Sequence, residues 1–171
     1  YHSYADYLEL GQAQVMLSTF PRGRYGAEET AKRLSRPHAY LPGSFSYEEI
    51  EQLEEQLAAE LGLVRLDDAA ERKACEEALE QAKTVIGEMP IAIDYTLHPR
   101  PLGLARLLLE HGFRVERVYL DAVTQEEQSD FQWLRDHAPE LLLCATIQPQ
   151  LRMLPRENDV PVLALGQIAA W

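Results

Sequence analysis

Three short polar stretches carry the residue types that could do chemistry: "STFPRGRYG" from Ser18, "DYTLHPRPLG" from Asp94 and "CATIQPQLR" from Cys144. Each follows an apolar run of strand length and mixes polar side chains with proline and arginine. The candidate ligand-binding residues are Ser18, Thr19 and Arg22 in the first stretch, Thr96, His98 and Arg100 in the second, and Thr146 and Gln148 in the third. Hydroxyls, a carboxamide and an imidazole can hydrogen-bond an oxygen-rich ligand, and a guanidinium can neutralise a carboxylate or phosphate. A dinucleotide needs more than this, because glycines must let the backbone approach the pyrophosphate. The second stretch offers only Gly103, its prolines remove donors, and no GKS or GKT follows any strand. These stretches therefore argue against nucleotide binding at the usual place.

Other chemistries lack their residues. The histidines at 2, 38, 98, 111 and 137 have no metal-ligand spacing, Cys75 and Cys144 form no CxxC, and no GxSxG is present. No protein metal site is expected. Cys144, inside "LLLCA", and Cys75, on an alanine-rich helix, read as buried small hydrophobes. His111 and His137 fall at helix C-termini, where a partly protonated ring complements the dipole. His98 differs by lying in a strand-end loop. Asp94 and Asp121 also lie near strand ends and are expected to pair with Arg100.

The elements that must position these residues follow from periodicity and caps. "AQVMLST" reads as a strand, "FPRGRYG" as a turn, Ala27 to Leu34 as a helix and "HAYL" as a short strand. Ser46 to Leu61 is a helix, with Ser46 and Glu49 as a capping box and Gly62 as its stop. A second long helix runs from Asp68 to Ile86, where Ala70, Ala74, Ala78 and Ala82 form a stripe suited to close packing. Strands Ile91–Tyr95, Val115–Leu120, Leu141–Thr146 and Val162–Leu165 then alternate with helices Leu102–His111 and Gln125–His137. The latter helix is headed by a Thr124/Glu127 capping box. Strands alternating with helices of this length imply parallel pairing, and ligands in such sheets sit outside the carboxyl ends of the strands. "IAI" and "LLLCA" are apolar without alternation, as in strands covered on both faces. The expected fold is α/β, a Rossmann-like three-layer αβα arrangement with a parallel sheet. Residues 1–66 read as a partial lobe with only two strands, and residues 67–171 as a Rossmann-like lobe led by a long helix.

The formal charge is −12, with 28 acidic against 16 basic residues. Nucleic acid and anionic lipid both need basic patches, so neither is an expected partner. Much of the acid lies in "YEEIEQLEEQLAAE" and "AAERKACEEALEQA", which read as solvated helix faces. No apolar run reaches the ~20 residues of a membrane span. Two cysteines and no signal peptide point to the cytoplasm. Both ends read as cut, as in a piece of a longer polypeptide.

The order of these pieces resembles one family. "VMLSTFPRGRYGAEETAKRL", "RPHAYLPGSFSYEEIEQLEEQLAAELG", "EMPIAIDYTLHPRPLGLARLLLEHGFRVERV", "APELLLCATI" and "NDVPVLALG" follow one another as in the second half of nitrogenase component 1 and its relatives. Those relatives include the dark protochlorophyllide reductase subunits and the cofactor-assembly scaffolds, and "GLARLLLEHGFRV" is the most specific match. The resemblance implies lobes of parallel sheet flanked by helices. It also implies a homologous partner subunit, an ATP-dependent reductase component, and an iron–sulfur cluster or tetrapyrrole in the complete complex. In the nitrogenase catalytic subunit a cysteine just after the first matching strand ligates the active-site cluster. Ser18, Thr19 and Phe20 stand there instead. No cofactor is therefore expected on this chain alone, which is expected to be inactive by itself. Arg100 lies in a loop comparable to one whose arginine approaches the cofactor in some members. The implied function is a domain of such an oxidoreductase or scaffold, lining a cleft for a cluster or tetrapyrrole. The alternative is a non-redox module for a metal chelate or corrinoid. A sugar-nucleotide transferase half-domain, which "LLLEHGFRVERV" also fits, would need a nucleotide loop that the sequence lacks.

Overall fold

The computed structural model describes residues 3–146 and 161–170. Gln148 lies outside the described residues. The elements, in chain order, are α1 (Tyr4–Glu9), β1 (Met16–Ser18), α2 (Pro21–Leu34), β2 (His38–Tyr40), α3 (Tyr47–Leu61) and α4 (Ala69–Ile86), then β3 (Ile91–Asp94), α5 (Pro101–Glu110), β4 (Val115–Tyr119), α6 (Gln128–His137), β5 (Leu142–Cys144) and β6 (Leu163–Leu165). They form two compact units. The smaller comprises Tyr1–Gly43 and Glu51–Val64, the larger Ser44–Ile50 and Arg65–Trp171.

In the smaller unit β1 and β2 pair in parallel, with Leu17 opposite Ala39, and α2 makes the crossover between them. This two-stranded sheet is separate from the sheet of the larger unit. Helix α2 starts at Pro21, six residues before the first residue expected to be helical. "PRGRYG" reads as a turn because of its two glycines. Yet Pro21 occupies the first helical position, where its fixed φ fits and its missing N–H costs nothing.

In the larger unit four parallel strands lie in the order β5-β4-β3-β6. Ile91 pairs with Val115 on one side and with Leu163 on the other. Helix α5 joins β3 to β4 and packs on both strands, and α6 joins β4 to β5 and packs beside α5. Ile91, Ile93, Val115 and Val118 from the strands meet Leu102, Ala105 and Leu108 of α5 and Leu134 of α6 in one apolar core. Such a buried leucine stabilises by about 1.5–3 kcal/mol. The fold is thus α/β, with parallel sheets flanked by helices, in keeping with a three-layer αβα architecture.

Two expectations are corrected. Helix α4 meets the core through Leu79, Ala82 and Ile86, spaced three and four apart, whereas Ala70, Ala74 and Ala78 are exposed. The first three alanines of the stripe therefore face away from the packed side while Ala82 meets it, and Cys75 beside them is exposed rather than buried. Strand β3 is buried throughout, as "IAI" predicts. In contrast, among the described residues β5 pairs only with β4, and Leu142 and Leu143 are 54% and 43% exposed. An edge strand with this composition looks the same in sequence as a central one.

Candidate functional site

From β3 the chain steps outward to β4 and β5, while β6 lies on the opposite side of β3. The direction of winding reverses between β3 and β6. In open parallel sheets the carboxyl ends at that reversal flank the ligand crevice. Asp94 ends β3 and Gly166 follows β6, so both border this point.

Asp94 is fully buried and clips the two loops together. Its Oδ1 accepts the Thr96 backbone N–H at 2.6 Å and also the Thr96 hydroxyl, and its Oδ2 accepts the Ala169 N–H at 2.7 Å. Thr96 Oγ1 in turn accepts the Gln167 N–H at 2.8 Å. The Thr96 hydroxyl thus spends its proton on Asp94 and accepts from Gln167. Gly166 makes this closure possible, since its φ is +122° and a Cβ there would lie 2.3 Å from Asp94 Oδ2. Gly166→Ala is expected to lower the unfolding free energy by about 2 kcal/mol, because a strained backbone and a displaced carboxylate act together. Urea denaturation checks this; a stability equal to wild type would show that the loop relaxes freely.

A similar device joins the next strand ends. Asp121, after β4, accepts the Thr146 N–H at 3.2 Å and the Thr146 hydroxyl, after β5. Neither Asp94 nor Asp121 pairs with Arg100, contrary to expectation.

Arg100 is 2% exposed and turns away from the strand ends into a charged cluster. It donates to Glu49 Oε1 at 2.8 Å, to the Glu126 carbonyl at 2.9 Å and to Asp130 Oδ2 at 3.1 Å. Burial works against ionised Glu49, but hydrogen bonds from Arg100 and Ser44 outweigh it and hold the carboxyl below its ordinary pKa. The Ser46/Glu49 capping box is consequently only half formed. Ser46 Oγ accepts the Glu49 N–H at 3.4 Å, while the Glu49 carboxylate is drawn to Arg100 and to Ser44 Oγ at 2.5 Å.

Glu127 is the residue that sequence reasoning misplaced most. Helix α5 has Arg100 at its N-cap and no side-chain cap of its own. The carboxylate of Glu127, 1% exposed, supplies it by accepting the Leu102 N–H at 2.7 Å. Its bond to Thr124 is long, at 3.4 Å, and Thr124 makes no cap bond to the helix. Burial pushes the Glu127 carboxyl up to about 7, against the backbone N–H groups and the Arg100 charge that favour ionisation. The available signal was the bare start of α5, a Pro101 helix with no capping side chain just before it.

His98 is half-buried, its ring edge-on to Phe45 with centroids 4.8 Å apart. Nδ1 accepts the Arg100 backbone N–H at 3.2 Å. Burial and then the Arg100 charge hold its pKa below the ordinary value. His111 and His137 behave as expected of helix ends, with Nδ1 against the carbonyls of Leu107 and Trp133 at 2.7 and 2.9 Å.

In the smaller unit Ser18 is buried, and its Oγ lies 2.9 Å from His38 Nε2. Thr19 and Arg22 are exposed. Among the described residues no three His, Cys, Asp or Glu side chains are grouped as metal ligands. A thiolate-bound cluster does not fit these residues: Cys75 is exposed on α4, Cys144 stands alone at the end of β5, and the loops after β3 and β6 contain no cysteine. No helix among the described residues is long and apolar enough to cross a membrane.

The larger unit is therefore a parallel α/β domain whose winding reverses between β3 and β6. No family model matches the chain, and no curated protein does. Among solved structures it is similar to one described as "Nitrogenase Cp1 at pH 6.5", with a TM-score of 0.58 and 13% sequence identity. The likeness covers 92% of this chain and 39% of that one, and it supports a nitrogenase-like fold.

Proposed function

We propose that this chain is a domain of a nitrogenase component 1-type oxidoreductase or cofactor-assembly scaffold. The strand-end rim of its larger unit forms one wall of a ligand cleft that other parts of the protein complete. The observation that carries this reading is the winding reversal at β3/β6, in a fold that follows a nitrogenase structure over 92% of the chain. Without cysteine in the loops after β3 and β6, the domain contributes hydrogen bonds and shape rather than cluster ligands. Of the two cofactor classes, this favours a tetrapyrrole as the group this wall meets. Electrons would come from a separate ATP-dependent reductase, and a homologous subunit would supply the opposing surface.

Titrating the protein with protoporphyrin IX, and separately with iron and sulfide under reducing conditions, tests this. Protoporphyrin is expected to bind with Kd of about 1–10 μM, or roughly −8 to −7 kcal/mol, as befits an incomplete cleft. Iron and sulfide are expected to leave no bound chromophore. A stable iron–sulfur chromophore would contradict the assignment of the rim. Absence of macrocycle binding would remove the tetrapyrrole. Nanomolar binding of a corrinoid by this chain alone would favour a self-sufficient non-redox module, a reading that the cysteine-free loops after β3 and β6 also support.

A further inference from the structure

Of the three candidate ligand-binding side chains in the β3–α5 loop, two are consumed by the protein itself. Thr96 donates to Asp94 and accepts from Gln167, and the Arg100 guanidinium is held by Glu49, Asp130 and the Glu126 carbonyl. His98 remains. Its Nδ1 accepts the Arg100 N–H at 3.2 Å, and among the described residues no hydrogen-bond partner meets Nε2.

Which ring nitrogen carries the proton of a neutral histidine is set by the bond the other one makes. Nδ1 faces a donor, so it must keep its lone pair, and the proton belongs on Nε2. A metal-binding histidine is arranged the other way round. It coordinates through a lone pair and donates its second N–H to a carboxylate or carbonyl. Ligating a metal through His98 Nε2 would move the proton to Nδ1, against the Arg100 N–H. Burial and the nearby guanidinium both disfavour a second proton.

We infer that His98 is a fixed Nε2–H donor for a carboxylate of the bound ligand, and not a metal ligand. This rests on the tetrapyrrole cleft proposed above and names the contact that His98 makes in it. A peripheral carboxylate of the macrocycle meets the ring, while any central metal is left to other groups.

Long-range proton–nitrogen NMR of the ligand-free protein tests the ring directly. The expected spectrum at pH 8 is that of the Nε2–H tautomer. An Nδ1–H tautomer, or a ring protonated at neutral pH, overturns the inference whatever the ligand proves to be. Binding of protoporphyrin IX, its dimethyl ester and hemin tests the contact. An asparagine places its Oδ1 near the position of Nδ1, and a glutamine places its amide near Nε2–H. His98→Asn should therefore keep the loop and weaken protoporphyrin binding about tenfold or more, as expected for a hydrogen bond to a charged group, while His98→Gln should retain most of the affinity. The dimethyl ester should lose a similar factor against wild type. Hemin should bind no more tightly than protoporphyrin. A histidine-ligated hemin spectrum that both variants abolish overturns the assignment. Macrocycle binding that His98→Asn leaves unchanged overturns the carboxylate contact alone. Failure of every macrocycle to bind overturns that contact together with the function proposed above, and the NMR result still decides the tautomer.

Discussion

Replacing Arg100 with methionine is expected to lower the unfolding free energy by about 3–5 kcal/mol at pH 7, the loss typical when one partner of a buried ion pair is removed. The guanidinium is 3% exposed and serves three acceptors on three different segments. They do not suffer equally when it goes. The Glu49 side chain is 34% exposed and can turn to water. Asp130 is 7% exposed and cannot, although Arg106 remains 3.4 Å from its other oxygen. The Glu126 carbonyl loses its guanidinium donor. The main penalty is therefore a carboxylate left partly unpaired in the core, and Arg100→Met/Asp130→Asn should recover a good part of it. Arg100→Lys should fall between, since an ammonium keeps the charge but cannot reach all three acceptors at once. Urea denaturation of the single and double variants gives the coupling. A loss below ~1 kcal/mol for Arg100→Met, or no recovery in the double variant, would show that the cluster is not what holds α5 to α6 and the first turn of α3.

This cluster also marks where the sequence stops being readable. The strands and long helices follow from local signals: the i, i+3, i+4 rhythm of Ile50, Leu53 and Leu57, the uninterrupted "IAI", and the stops at Gly62, Gly87 and Gly112, all three of which take positive φ. Parallel pairing follows from the alternation of those elements. The carboxyl ends of β1, β3 and β5 are also legible in the sequence, because a strand's carboxyl end is a position rather than a composition. What the side chains in the loops after them do was not legible. Arg100 and Glu49 are 51 residues apart and Arg100 and Asp130 are 30 apart, and no spacing rule joins them. Thr96 looks like a solvent-facing hydroxyl until residues 167 and 169 fold onto it and Asp94. Glu127 stands three residues after Thr124, as a capping box requires, and tertiary packing redirects it to the bare end of α5. Local propensity favours a cap at the nearest helix. A buried backbone N–H without a partner costs more, so the carboxylate goes there.

Glu127 carries the other large effect, and its sign depends on pH. An ordinary glutamate titrates near 4.5, whereas burial raises this one to about 7 in the folded protein. Between those values the folded chain holds a proton that the unfolded chain has released. Stability is therefore lost as pH rises through that window, and the loss levels off above about 7. The gap corresponds to roughly 3 kcal/mol, with the backbone donors of α5 already set against the burial. Glu127→Gln keeps the carbonyl that accepts the Leu102 N–H and removes the ionisable group. The variant should match wild type near pH 5 and exceed it by up to ~3 kcal/mol at pH 8. His111, whose pKa lies above its ordinary value, also loses stabilisation as pH rises, but it does so in both proteins and cancels in the difference. Glu127→Ala should be less stable than Glu127→Gln at every pH by about 1–2 kcal/mol, because it leaves the start of α5 without its acceptor. Chemical denaturation of the three proteins at half-unit steps from pH 5 to 8 separates the terms. If Glu127→Gln is the less stable protein at pH 8, the carboxylate is needed in its charged form, and the helix N-terminus together with Arg100 outweighs the cost of burying it.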